Sequence, residues 1–451
     1  MAQASNSWDR VRELANAEDP DGLRVFLSTL EPNEAVRAIL RLNADEQGKV
    51  LTTLSPDDAA DLIEDIPDEQ AADIVEQLEP KAAANIVNRM ESDEQADLLG
   101  DMEDEDAEAI LQEMEPEEAN DARMLASYAD DVAGGLMKTE FLSYREDSPV
   151  GKVIDDLSAR AEEIEPYFNR YIYATSPWGR LVGVLSARQL LLHPKSQPIA
   201  KFIVPALFVK AEEALDDLKT FFDTHALSAA PVVDAHGQLL GVVRRTSVHE
   251  ALEYRAEQEM LRMGGIIGGD EIRTLPVLER SRRRLSWLSI NIVLNVLAAS
   301  VIALYIDTLS AVIALAIFIP IVSDMSGCTG NQAVAVSMRE LSLGIVKPFE
   351  VFRVWLKEVS VGLINGSALG LILGLGAWAW KGNPYLGLVV GGAMALNTLI
   401  AVSIGGTVPL LLKRWGVDPA IASGPILTTV TDICGFFLLL SLAALMLDKL
   451  I

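Results

Sequence analysis

From Leu30 to Arg123 the apolar and polar positions recur with a period of 12, and Leu30, Leu42, Leu54, Ile66, Leu78, Met90, Met102 and Met114 each begin a unit. The sixth position is small in most units (Ala35, Ala59, Ala71, Ala83, Ala107, Ala119). The tenth is aliphatic in all but the last (Ile39, Leu51, Ile63, Val75, Val87, Leu99, Leu111). Pro, Asp or Ser near the start, acids next and an aliphatic pair at the end describe a short capped helix. One such helix cannot bury its apolar face alone, so the units are expected to stack into a superhelix, turning right or left. A disordered acidic tail is the alternative, and the regular aliphatics argue against it.

The texture changes at residue 131. Tyr171–Thr175 and Leu181–Leu185 alternate as short strands and lead into SARQLLL, which reads as a helix. The pattern returns as helix EEALDDLKTFFDTH, strand APVVD, turn AHGQ, strand LLGVV and helix TSVHEALEYRAEQ, a paired α+β module. From Ser247 a helix carries Glu250, Glu253, Glu257 and Glu259, and spacings of three and four place the first three along one face. MGGIIGGDE ends it.

The last third is apolar. Trp287–Ile306 runs 20 residues without a charge, Val359–Trp380 gives 22 and Tyr385–Leu412 gives 28. Thr308–Met338 and Pro419–Leu447 are each interrupted by one acid, Asp324 and Asp432. A hydrocarbon core of ~30 Å takes ~20 helical residues, so five spans are expected. Basic residues cluster in alternate loops: Arg280, Arg282, Arg283 and Arg284; then Arg339, Lys347, Arg353 and Lys357; then Lys413 and Arg414. The positive-inside rule places the first 280 residues in the cytoplasm and the C-terminus outside. The N-terminus MAQASNSWDR carries no secretion-signal pattern.

Charge sharpens this division. The net charge of −28 splits into −26 over residues 1–130, −5 over 131–275 and +3 over 276–451. The acidic surplus argues against nucleic acid, whose phosphates need clustered Lys and Arg, and suits cations or basic partners. Cys328 and Cys434, the only cysteines, lie in apolar stretches with no zinc spacing. No Ser/His/Asp set, metal-hydrolase spacing or P-loop stands in the chain, so it is not expected to be an enzyme.

An acid inside a span is costly and usually functional, which singles out Asp432. Thr428 and Thr431 share its helix, Thr428 one turn before it. Hydroxyls and a carboxylate on a polar path suit a hard cation that keeps its waters, and a symmetric dimer would supply two carboxylates. Asp324, in IPIVSDMSGCTGNQ, stands in a broken helix or a loop, lining a cavity or lying near the membrane edge.

Over nearly its full length the chain resembles the MgtE family of magnesium channels and transporters. The 12-residue repeats look like that family's acidic N domain, and APVVDAHGQLLGVV, preceded by AGGLMKTEF, is similar to its pair of cystathionine-β-synthase (CBS) domains. The helix from Ser247 looks like its plug helix. GCTGNQAVAVSMREL resembles the end of its second span and DPAIASGPILTTVTD the start of its fifth. The resemblance implies a homodimer with five spans per subunit and a pore at the dimer axis that admits Mg²⁺. It also implies that Mg²⁺ bound among N, CBS and plug elements shuts the pore. By resemblance Asp432 is the pore acid, and Thr428, Thr431, Asn331 and Asp324 are expected to line the path. Asp93, Asp97, Asp216, Glu250 and Glu259 stand for regulatory Mg²⁺ ligands, and Glu253 and Glu257 for the gating helix. Ala214, Ala226, Ser247 and Arg255 stand where members often carry acids, which implies weaker closure by internal Mg²⁺ or another ligand, such as ATP at the CBS domains. Asp324 and Cys328 stand where Gly and Asn are common, which touches ion preference.

The expected architecture is multidomain: an α-helical superhelical N domain (1–130), an α+β CBS pair (131–246), a connecting plug helix (247–275) and an all-α membrane domain with five transmembrane helices (276–451). The expected function is a dimeric, inner-membrane, multi-pass magnesium channel surrounded by lipid. Its alternatives are a channel for another divalent ion such as Co²⁺, gated by another ligand, and a membrane-anchored ion or nucleotide sensor that conducts nothing.

Overall fold

In the computed structural model, residues 6–164, 171–266 and 277–451 are described. The chain divides into two compact units, Met1–Ala256 and Glu257–Ile451.

The first unit opens with ten short helices: α1 Ser7–Asn16, α2 Pro20–Leu27, α3 Pro32–Ile39, α4 Ala44–Thr53, α5 Pro56–Glu64, α6 Asp68–Val75, α7 Pro80–Val87, α8 Ser92–Gly100, α9 Asp104–Glu113 and α10 Pro116–Leu125. From α3 onward a helix begins every 12 residues, as the repeat predicts. Pro stands at the first turn of α3, α5, α7 and α10, where its missing N–H costs nothing, and Asn43 closes a capping box on α4. The small sixth positions and the tenth positions from Ile39 to Leu99 are buried in one continuous core. The unit positions Leu42, Leu54, Ile66, Met90, Met102 and Met114 join them there. Small residues let helices of two to three turns approach closely, which is how eight- to ten-residue elements hold a shared core.

The α+β module follows: β1 Met137–Lys138, β2 Ser143–Arg145, α11 Val150–Ala159, α12 Ala161–Ile164, β3 Tyr171–Thr175, β4 Leu181–Ser186, α13 Ala187–Leu192, β5 Val209–Lys210, α14 Leu215–Thr224, β6 Ala229–Val233, β7 Leu239–Arg244 and α15 Arg245–Met263. The strands form two sheets, ordered β2-β3-β4 and β1-β7-β6-β5. In each a short strand runs parallel to the first arm of an antiparallel pair, β2 beside β3 and β5 beside β6. The duplication read from the sequence is therefore a duplicated sheet. The antiparallel edge strand β1, with Lys138 opposite Val242, joins the second copy only. α15 ends at Met263, and Gly265 takes the left-handed conformation just beyond it. Residues 267–276, the rest of the connecting segment, lie outside the described residues.

The second unit is helical: α16 Val277–Leu304, α17 Ile306–Ala311, α18 Leu315–Ser342, α19 Val351–Lys381, α20 Pro384–Arg414, α21 Pro419–Leu445 and α22 Leu447–Leu450. Among the described residues four helices, within α16, α19, α20 and α21, are long and apolar enough to cross a membrane. α18 has 28 residues but is not among those four. Where the sequence suggested an evenly apolar second span, the run from Ser323 to Gln332 carries Ser, Asp, Gly, Thr, Asn and Gln and dilutes its hydropathy. That run is continuous helix rather than a break or a loop.

α19 and α20 pack through glycines. Gly370 faces the Gly391 carbonyl, and a Cβ built on either residue would lie 2.5 Å from the other's carbonyl oxygen. Small residues at such a contact let two backbones touch where no hydrophobic effect drives association. Large apolar side chains on α16 and α19, among them Ile292, Val293, Leu363, Ile364, Leu371 and Ile372, point outward, as a lipid-facing surface requires.

Candidate functional site

The polar centre of the helical unit is built by α18 and α21. Asp432 sits half-buried midway along α21, and the Ser323 hydroxyl of α18 donates to its Oδ1. One residue on from Ser323, Asp324 is exposed, and Cys328 and Asn331 follow on the same face at spacings of four and three, both exposed. An apolar helix thus presents an acid, a thiol and an amide along one outward stripe. Thr428 is exposed and its hydroxyl donates to the Gly424 carbonyl at 3.0 Å. Thr431 departs from the expectation that it lines an open path. It is fully buried, its hydroxyl donates to the Thr428 carbonyl at 3.0 Å, and its own carbonyl accepts from the Asn397 amide of α20 at 3.1 Å. The position faces the packed α20 side, so Thr431 anchors α21 instead.

The acids expected as regulatory ligands fall into separate places. On α8, Asp93 is buried, and Glu94 and Asp97 follow on the same short helix. Burial first, then the charges of Asp68, Glu94, Asp93 and Asp130, push the Asp97 carboxyl up to about 8. Burial, then Asp93, Asp68 and Glu64, push Glu94 up to about 7. Burial also raises Glu64 and Asp93, the latter against the pull of Lys138.

Lys138 is the residue that sequence reasoning missed. Its side chain is 7 % exposed, and its ammonium contacts the Glu91 carboxylate and lies 3.2 Å from Asp93. Arg244 reaches Glu91 at 3.1 Å. Glu91 is pushed up by burial, yet Lys138 and Arg244 outweigh that and hold it below the usual carboxylate range. Between the two acids, Ser92 donates its N–H at 2.9 Å and its hydroxyl at 2.8 Å to Glu140, and accepts from the Thr139 N–H at 2.9 Å. Glu140 is thereby the anionic cap of α8.

On α14, Asp216 is paired at 2.6 Å with Arg255 of α15. Glu250, Glu253 and Glu257 are exposed, and Glu253 lies 3.3 Å from His249. Glu259 accepts from the Ser342 hydroxyl at 3.2 Å. Among the described residues no three His, Cys, Asp or Glu side chains converge as metal ligands. Within the first unit, Asp93, Asp97, Asp216 and Glu250 are therefore not drawn into one ligand set.

Comparison with known proteins gives the same layout. Residues 319–442 match the family described as MgtE, divalent cation transporter; residues 18–131 match the MgtE intracellular N domain; and residues 202–254 match the CBS domain. A relative from Thermus thermophilus, Magnesium transporter MgtE, is 32 % identical over 330 residues, 73 % of each chain. Another of the same name, from Enterococcus faecalis, is 29 % identical over 328 residues, 72 % of each chain. A crystal structure of the cytosolic domain of the Mg²⁺ channel MgtE in complex with ATP aligns with 54 % of this chain and 99 % of that one, at 26 % identity and a TM-score of 0.48.

Proposed function

The chain belongs to the MgtE family, and from that premise we propose that it conducts Mg²⁺ into the cytoplasm through a pore at the axis of a homodimer. It is a multi-pass membrane protein that transports magnesium, and not an enzyme. In this reading the basic loops keep the N-terminal domains in the cytoplasm and the C-terminus on the far side of a cell inner membrane, with α18 as the fifth span.

One observation carries the pore assignment. Asp432 is held by Ser323 beside a helix whose exposed stripe, Asp324, Cys328 and Asn331, would be costly against lipid. A second copy packed on that stripe removes the cost and places two Asp432 carboxylates about one axis. Two carboxylates with the Thr428 hydroxyls attract a divalent ion while leaving most of its water in place. Gating belongs to the acidic cytoplasmic domains, with cytosolic Mg²⁺ as one input acting through Asp93, Asp97, Asp216, Glu250 and Glu259, and Glu253 and Glu257 on the moving helix. The Arg255–Asp216 pair already neutralises one of those acids, so closure by Mg²⁺ is weaker than with that acid free, or needs another ligand. A 360 Å³ recess lined by Tyr171, Ser186, Arg188 and Gln189 is the place where ATP would supply a second input.

The test is Mg²⁺ entry into proteoliposomes carrying the full chain. Flux abolished by Asp432→Ala supports the pore. Flux that ignores this substitution places the path elsewhere, and no flux from a folded dimer would favour the non-conducting sensor.

A further inference from the structure

We propose that Lys138 and Arg244 form a built-in cation clasp that holds the helical repeats against the second α+β domain without any divalent ion. The inference rests on the gating reading above and amends it at Asp93, which Lys138 rather than Mg²⁺ neutralises, and it concerns a contact inside the first unit only.

Glu91 and Asp93 flank Ser92 at the start of α8; β1 and β7 supply the partners of the two acids, and Thr139 and Glu140, just past β1, those of Ser92. Lys138, on β1, contacts both carboxylates, and Arg244, at the end of paired β7, takes the outer side of Glu91. Two positive groups answer two negative ones. A buried carboxylate without a partner is strongly unfavourable, and here the partner is covalently part of the chain. A dication entering between Glu91 and Asp93 would have to expel an ammonium that is almost wholly enclosed and already touches both.

Further hydrogen bonds, to the anionic Glu140 and between Thr139 and Ser92, fix the same register. Glu140 caps α8 through the Ser92 N–H and hydroxyl, and the Thr139 N–H returns a hydrogen bond to that hydroxyl. Three consecutive residues of each domain, Glu91–Asp93 and Lys138–Glu140, are thus joined by polar contacts alone, none of which calls for a metal. The clasp therefore stays shut when Mg²⁺ is scarce. Any movement that Mg²⁺ drives has to arise at other acids, among them Asp216 and those of α15.

Hydrogen exchange on the full chain in lipid nanodiscs reads this directly and needs no transport assay, so it stands apart from the pore test. Segments 91–99 and 137–141 of the wild type should be equally protected in EDTA and in millimolar Mg²⁺. In EDTA, Lys138→Met should speed their exchange roughly tenfold or more while segment 59–75, deep in the repeat core, stays protected, and Lys138→Arg should restore the slow rate. Wild-type segments that close only on addition of Mg²⁺ would overturn the clasp, as would a Lys138→Met protein as protected as wild type in EDTA. Loss of protection in segment 59–75 would mark a folding defect, and the Lys138→Arg protein then decides. Slow exchange in EDTA sustains the clasp, and fast exchange with an intact core refutes it.

Discussion

Arg255 on α15 holds Asp216 on α14 at 2.6 Å, with the Asp216 side chain 69 % exposed. An ion pair so open to water adds little to stability, on the order of 0.2–1 kcal/mol, but it occupies a carboxylate that the proposed gating assigns to Mg²⁺. Arg255→Gln should leave the protein folded and lower the sensor-side Mg²⁺ concentration that half-inhibits flux, by up to about fivefold if the whole pair energy is recovered. Flux titrations with Mg²⁺ on the face bearing the N-terminal domains check this. An unchanged midpoint would remove Asp216 from the sensor.

Asp324 is a different kind of acid from Asp432. It is exposed, and among the described residues no hydroxyl pins it, so under the proposed pore its charge would act on ions through the field rather than through a ligand bond. Asp324→Asn should slow Mg²⁺ entry about two- to fivefold at low ionic strength, with the difference closing at ~0.5 M monovalent salt as screening shortens to a few ångströms. Initial rates at several salt concentrations separate this from Asp432→Ala, whose loss should persist at every salt.

The glycine contact between α19 and α20 makes a prediction with its own control. A Cβ on Gly370 would meet the Gly391 carbonyl at 2.5 Å, whereas one on Gly376 of the same helix meets nothing within 4 Å. Gly370→Ala should therefore destabilise the helical unit by ~1–3 kcal/mol through overpacking, and Gly376→Ala should be neutral or better. Thermal unfolding in one detergent compares the two. Equal melting points would mean that α19 and α20 can part without cost.

Some of this molecule was legible from sequence and some was not, for physical reasons. The repeat helices were readable because each restarts its own cap, acids and apolar pair, so all their information is local. Asp432 stood out in the sequence because an acid in an apolar run is costly, and the structure places it at the α18–α21 contact beside Ser323. Ser323 gave no signal: a serine in a span is unremarkable until the neighbouring helix is placed. Thr431 misled because spacing puts it beside Thr428, whereas packing against Asn397 decides which of the two is covered. Lys138 was the deepest miss. One lysine in LMKTEF reads as surface, and only the return of β1 onto β7 turns it towards Glu91 and Asp93.

The crowded acids of α8 make stability depend on pH in a direction opposite to that of most carboxylates. In the unfolded chain Glu94 and Asp97 titrate near the usual ~4, but in the fold they hold their protons up to about 7 and about 8. Between these limits the folded state binds more protons, so unfolding becomes easier as pH rises from about 4 to about 8, and the trend levels off above. The stabilisation is present in full below the unfolded values and is lost on passing through the folded ones. Without divalent ions, the cytoplasmic transition of the full chain should therefore melt higher at pH 5.5 than at pH 8.5 (both chosen to bracket the folded values). Asp97→Asn, which removes the more shifted acid while keeping its shape, should flatten that slope and raise the melting point at pH 8.5, by ~1–3 kcal/mol of stability. Calorimetry in EDTA across that range checks it. A wild type that grows more stable from pH 5.5 to 8.5 would mean that cations within the fold, Lys138 foremost, already compensate these two carboxylates.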